Sequence, residues 1–148
     1  MGGTLTGSGG NVPKFAVSVL KDPLGTDLQH VQIIKGWVDV EGNRHEHIYD
    51  VAGNKDNGAS VNLDSCEPIG IGVSNICQVW QDPDFDISEE AFYYARVIEN
   101  PSCRWNQYQC INSGGVAGCD LTDQLGQPVA KTIQERSWSS PIWFSPAS

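Results

Sequence analysis

Apolar and polar residues alternate along residues 14–20, KFAVSVL, with Phe15, Val17 and Val19 on one side and Lys14 and Ser18 on the other. A period of two sends successive side chains to opposite faces, so this run predicts a half-buried strand. Asp22-Pro23-Leu24-Gly25 then has the residues of a β-turn. Residues 30–40, HVQIIKGWVDV, form a longer β-type run in which Gly36 marks a bulge or kink. Gly42-Asn43 reads as a two-residue hairpin loop, with 45–51 as the return strand. That register sets Glu41 opposite Arg44, Val40 opposite His45, Asp39 opposite Glu46 and Val38 opposite His47. Residues 91–99, AFYYARVIE, are apolar on both sides. Ala91, Tyr93, Ala95 and Val97 share one face, and Phe92, Tyr94, Arg96 and Ile98 the other. A strand of this kind is central, or its outer face is also covered. Residues 132–144, TIQERSWSSPIWF, predict a closing strand. Proline donates no ladder hydrogen bond, so Pro141 places that strand at an edge or bulges it.

The remaining segments are turn-forming. Residues 1–12, MGGTLTGSGGNV, read as a flexible Gly-rich lead-in, which sets the domain at 14–146 with 1–13 outside it. Residues 53–65 and 66–77 are loops rich in Gly, Asn and Asp or punctuated by Pro and Gly. Residues 76–80 suit a short strand or a helical turn, 82–86 an acidic loop, and 87–90 one helical turn capped by Ser88. Residues 100–130 are irregular. With charged residues at 18%, 16 glycines, 8 prolines and 5 tryptophans, the chain predicts one all-β domain, a small β-sandwich with long loops and little helix.

Charge narrows the partners. A formal net charge of −9 with singly scattered Lys and Arg argues against nucleic acid, which needs clustered bases, and against anionic lipid. No stretch approaches the roughly 20 apolar residues of a membrane span. The cysteines, Cys66, Cys77, Cys103, Cys110 and Cys119, contain no CxxC pair, so disulfides in an oxidising compartment are the reading. Cys66–Cys77 is favoured as one closed loop, with a second bond within Cys103, Cys110 and Cys119. Residues 1–4 lack the basic and apolar regions of a signal peptide, which suits a mature form or a fragment.

Candidate chemistry is sparse. His45-Glu46-His47 puts two histidines on one side of a strand, where they could ligate a metal; the preferred reading is two residues of a half-exposed sheet face. Asp82, Asp84 and Asp86 have the spacing of the first ligands of an EF-hand loop. The pattern then fails at Ile87, where Gly is needed, and at Tyr93, where Glu is needed. A non-EF Ca²⁺ site on these three carboxylates is the metal hypothesis, against a solvated acidic loop. No Ser lies in a G-x-S-x-G elbow, and Ser113-Gly114-Gly115 lacks the Lys of a phosphate loop, so no residue is assigned as catalytic or cofactor-binding. The five tryptophans could form a sugar platform, although large aromatics in a sandwich more often fill core or interface. Phe92, Tyr94 and Ile98 form an apolar outer patch, an interface if nothing else in the chain covers it.

Several stretches together carry a family resemblance. They are VQIIKGWV at 31–38, His45-Glu46 with Tyr49-Asp50-Val51, WQDPDFD at 80–86, residues 91–105 with Tyr93-Tyr94-Ala95-Arg96-Val97, and TIQERSWSSPIW at 132–143. This combination resembles the C-terminal region of large exported bacterial proteins of unknown function. That family is similar to the PHP (polymerase and histidinol phosphatase) metal-dependent phosphoesterases. The resemblance covers nearly the whole chain, and Met1-Gly2-Gly3 matches an internal Met-Gly-Gly of the family. It implies an immunoglobulin- or fibronectin-like sandwich whose last two strands are FYYARV and SSPIW, with Tyr93, Ala95 and Val97 inward. It also implies that the divalent metal and its histidines belong to an N-terminal part absent here. The expected role is then a non-catalytic C-terminal domain, periplasmic or secreted, that caps or orients the catalytic body of the same polypeptide. The alternatives are an autonomous extracellular calcium- or glycan-binding module, and a small hydrolase.

Overall fold

The computed structural model describes residues 2–7, 12–115 and 119–147. The strands are β1 (Gly3–Thr6), β2 (Lys14–Leu20), β3 (Leu28–Val38), β4 (Arg44–Gly53), β5 (Ser60–Val61), β6 (Pro68–Ile69), β7 (Asn75–Gln81), β8 (Glu90–Glu99), β9 (Ser102–Cys103), β10 (Thr132–Ile133), β11 (Arg136–Trp138) and β12 (Ile142–Ser145). One helix, α1 (Trp105–Asn112), is found among the described residues. The chain is all-β, as its alternation predicts.

The main sheet runs β1-β12-β8-β3-β4, with β11 also pairing β8. The antiparallel pair β2–β7 forms a second layer. Between the layers Phe15 of β2 packs with Ile33, Ala91, Tyr93 and Phe144 of the main sheet. A second cluster, Leu28, Val31, Ile76 and Val97, lies beside it, and Val17 and Val51 touch both. The second layer has only two strands, where the smaller sheet of a constant-type immunoglobulin domain has three.

Four expectations are corrected. Residues 3–6 are not a loose lead-in: β1 lies parallel to β12 from Gly3↔Ile142 to Thr6↔Ser145, so the sheet begins ahead of residue 14. Thr4-Leu5-Thr6 has strand-forming side chains, and its partner was too distant in sequence to be anticipated. Residues 8–11 of that lead-in lie outside the described residues.

The closing strand is split into β10, β11 and β12, and β1 covers β12, so Pro141 does not mark an edge. It marks the break. At that break Ser139 Oγ accepts a hydrogen bond from Ala95 N at 3.0 Å, while Ser139 N donates to Ala95 O at 3.0 Å. The serine keeps β8 satisfied where the ladder is interrupted.

The β3–β4 hairpin pairs Val38↔Arg44, Trp37↔His45, Gly36↔Glu46 and Lys35↔His47, not the register that a Gly42-Asn43 loop predicts. Asp39 decides the difference. Its Oδ1 accepts from Glu41 N at 3.0 Å and Asn43 N at 2.8 Å, while Gly42 N donates to Asp39 O at 3.0 Å. Gly42 sits at φ 86, so a turn closed by Asp39 and completed by a left-handed glycine replaces the two-residue loop.

The fourth correction concerns the first disulfide: Cys66 joins Cys103, not Cys77, while the second bond, Cys110–Cys119, falls within the expected trio. Cys77 is free and exposed. On β7 Ile76 points into the core, so alternation turns the Cys77 thiol outward and away from Cys66. Cys66–Cys103 spans 37 residues of sequence and fastens the β5–β6 loop region to β9, just beyond β8.

Candidate functional site

The two faces of the β12-β8-β3-β4 sheet place very different chemistry. On the inner face, Lys35 of β3 lies in register between Ile33 and Trp37, in the middle of an apolar run. Its parity forces the ammonium group into the interior, where the side chain is 2% exposed. Burying a lone charge is prohibitive, so a partner is required. Asp82, at the end of β7, supplies it: Lys35 Nζ lies 2.7 Å from Asp82 Oδ2, with the acid fully sequestered at 0% side-chain exposure. Lys35 Nζ also donates to Asp84 O at 2.7 Å and stands 5.0 Å from the Trp37 ring centre.

Two tyrosines complete this cluster. Tyr93 OH donates to Asp82 Oδ2 at 2.8 Å, and Tyr49 OH donates to Asp84 Oδ2 at 2.9 Å. Burial pushes both phenols above their ordinary range, and the carboxylates they donate to add to it. Phe15, Trp80, Tyr49 and Tyr93 pack ring against ring around the acid loop. The DPDFD loop is therefore held from inside, by β3, β4 and β8.

That arrangement disperses the three carboxylates of the calcium hypothesis. Asp82 faces Lys35 and Tyr93, and Asp84 faces Tyr49. Asp86 accepts from Ser88 N at 2.8 Å and Ser88 Oγ at 2.6 Å, bonds that hold its carboxyl below the usual range. Residues 87–89 form a turn that leads into β8, not a helical turn capped by Ser88, and Asp86 organises it. Among the described residues no group of three or more His, Cys, Asp and Glu is placed to hold a metal ion.

The histidine pair is also engaged. His45 stacks on Trp37 at 5.1 Å between centres and bonds Asp39 at 2.7 Å, a contact that leads in holding the Asp39 carboxyl far below its ordinary value. His47 packs on Tyr49 at 4.3 Å. His30 is buried, which lowers its pKa, and it faces Asp50 at 3.8 Å.

The outer face is aromatic. Phe92 and Tyr94 stack with planes 9° apart, and Phe92 also meets Trp143 at 5.3 Å. Ladder partners share a face, so Trp143 beside Phe92, Trp138 beside Arg96, and Ile48, separated from Tyr94 by the buried Ile34, extend one apolar surface. Trp138 and Trp143 are 58% and 53% exposed, and Val38 and Ile48 are also open to solvent. Gly36 makes the floor: a Cβ there would collide with the Phe92 ring. A groove of about 500 Å³ opens at this end, between Phe92 and Trp143 on one side and Arg44 and Glu46 on the other. A polar rim adjoins the patch, in which Arg96 Nε and Nη2 donate to Gln32 Oε1 and Gln32 Nε2 donates to Asp50.

Of the expected interface residues, Phe92 and Tyr94 lie in this surface. Ile98 does not contribute, being only 6% exposed. Its ladder neighbours are His30 and Arg136. Trp138, Trp143 and Ile48 were missed as members. The signal was present for the tryptophans, since antiparallel pairing with residues 92–96 fixes their face once the break at 139–141 is known.

Fold and faces together define an all-β, disulfide-linked domain with an ionic centre between its layers and an aromatic sheet face outside. The family model described as "Protein of unknown function (DUF3604)" matches residues 1–146, and the chain belongs to that family. Comparison with curated proteins and with solved structures gave no match. The two disulfides suit an oxidising compartment. Among the described residues no helix is long and apolar enough to cross a membrane.

Proposed function

We propose that this chain is a non-catalytic β-sandwich domain of an exported, PHP-like metallohydrolase, and that its outer sheet face docks on the catalytic body of the same polypeptide. The carrying observation is the surface built by Phe92, Tyr94, Trp138 and Trp143. Large, rigid aromatics at the centre with a hydrogen-bonded polar rim are the composition of a protein interface. Leaving two tryptophans more than half exposed on one sheet face is unfavourable unless a partner removes them from water. The occupant is the body that the family resemblance supplies, whose divalent metal and histidines lie upstream. Periplasmic or secreted localisation belongs to the same reading.

Hydrogen exchange compares this chain alone with the full-length protein. Strand β8 together with residues 138–144 should gain protection in the full-length protein, and Trp143→Ser with Phe92→Ser should remove that gain. Equal protection in both proteins overturns the docking. Metal-dependent phosphoester turnover by the isolated chain, or glycan binding lost in Trp138→Ala, would replace this reading with a hydrolase or a sugar-binding module.

A further inference from the structure

The Lys35–Asp82 pair has the arrangement of two reactants as well as that of an ion pair. Lys35 Nζ lies 2.7 Å from Asp82 Oδ2, and neither side chain is more than 2% exposed. A nitrogen in hydrogen bond with a carboxyl oxygen stands about 3–3.5 Å from the carboxyl carbon, so turning the face of the carboxyl plane toward Nζ brings the pair to a near-attack geometry. We propose that Lys35 and Asp82 condense to an intramolecular amide, a covalent link between the main sheet and the β2–β7 layer.

The step balances without a co-reactant. Transfer of one proton from the ammonium to the carboxylate gives a neutral amine and a neutral acid, the two reactants of the condensation. The amine lone pair attacks Asp82 Cγ, forming the Nζ–Cγ bond. Asp82 Oδ1 carries the developing charge, and Asp84 N–H already donates to it at 2.9 Å, as an oxyanion donor does. Asp82 Oδ2 leaves as water with the acid proton and one amine proton; Tyr93 OH donates to that oxygen at 2.8 Å. Asp84 O, 2.7 Å from Nζ, holds another N–H and so directs the lone pair. Phe15, Trp37, Trp80 and Tyr93 keep the site apolar, which restrains the reverse hydrolysis.

The sequence favours this outcome over the usual fate of a reactive aspartate. Succinimide formation needs the N–H of the following residue, and that residue is Pro83, which has none. Lys35 is therefore the nucleophile that faces the Asp82 carboxyl.

Intact-mass spectrometry of the purified, reduced full chain tests it. The expected mass is one water below that of the sequence, and proteolysis should release a branched peptide joining Lys35 to Asp82. Lys35→Arg and Asp82→Ala should carry the full mass of their sequences. Asp82→Asn should reach the same linked product by loss of ammonia. Wild-type chain at its full mass overturns the proposal, and so does a water deficit that maps anywhere but Lys35–Asp82. The wild-type measurement decides the matter even if a variant does not fold.

Discussion

The two faces of one sheet invert the usual placement of charge and aromatic surface. The inner face buries Lys35 and Asp82, whereas the outer face leaves Trp138 and Trp143 more than half exposed. Hydrophobic burial alone would exchange them. The inner face is complete in itself, because each polar group of the cluster meets a partner from another element: Lys35 from β3, Asp82 after β7, Tyr49 from β4 and Tyr93 from β8. The outer face is incomplete, because its apolar surface ends in solvent. Disturbing the first should therefore cost stability, and disturbing the second should cost association.

The largest effect falls on the ionic centre. Lys35→Met leaves Asp82 as an uncompensated buried charge and should destabilise the fold by about 3–5 kcal/mol. Urea denaturation measures this. The double change Lys35→Met with Asp82→Leu should be more stable than Lys35→Met alone, since it removes the unpaired buried charge. A single change that costs less than about 1 kcal/mol, the value of an exposed pair, would show that water reaches the cluster and that the two faces differ less than the structure indicates.

The next effect separates the cysteines. Cys66→Ser or Cys103→Ser opens the link between the β5–β6 region and β9 and should cost about 2–4 kcal/mol. Cys77→Ser, on the outward side of β7, should stay within about 0.5 kcal/mol, as surface changes do. Thermal melts under non-reducing conditions distinguish this pattern from a Cys66–Cys77 bond, for which Cys77→Ser would be as damaging as Cys66→Ser.

The contrast between the faces was partly legible in the sequence. Parity along residues 91–99 separated Tyr93 and Val97 from Phe92 and Tyr94, because it is a local property, but with both faces apolar it was the family resemblance that turned Tyr93 and Val97 inward. The same parity put Lys35 among Ile33 and Trp37, and a lone base on an inward face demands an acid; what the chain could not reveal locally was that Asp82, 47 positions on by number, would answer it. For the same reason the sequence of the acid loop offers only a Ca²⁺ site or a solvated loop as readings, and not a buried partner for Lys35. Turn chemistry was misread at Asp39, whose side chain outcompetes the Gly-Asn pair next to it for control of the loop. The β1–β12 pairing and the Cys66–Cys103 bond depend on contacts far apart in sequence, which no local pattern encodes.

A smaller effect appears at alkaline pH. Tyr49 and Tyr93 are held above their ordinary range by burial first, then by the carboxylates they donate to. A group whose pKa is raised on folding binds its proton more tightly when folded. Its stabilisation is full below the unfolded value of about 10 and is lost as pH rises through the folded one. Unfolding free energy should therefore fall above about pH 10, and the paired Tyr49→Phe, Tyr93→Phe variant should show a shallower fall than wild type. Parallel slopes would mean that the phenols are not sealed on the inner face.

The smallest effect on stability, and the sharpest on function, is expected outside. Trp143→Ser removes an aromatic that is mostly in water, so the fold should change by no more than about 0.5 kcal/mol. Docking, by contrast, should weaken by about 2 kcal/mol or more if Trp143 is a central anchor. Gly36→Ala tests the same surface without removing any apolar atom, since the added Cβ must displace the Phe92 ring that now packs against Gly36. Ring displacement should reduce association while the melting temperature moves only a few degrees. Association preserved in both variants would leave the exposed aromatics without a partner at this face, whereas loss in Trp143→Ser alone would confine the contact to the β12 side. The pair thus reads whether the outer face acts as one surface, as the stacking of Phe92 on Tyr94 and its contact with Trp143 indicate.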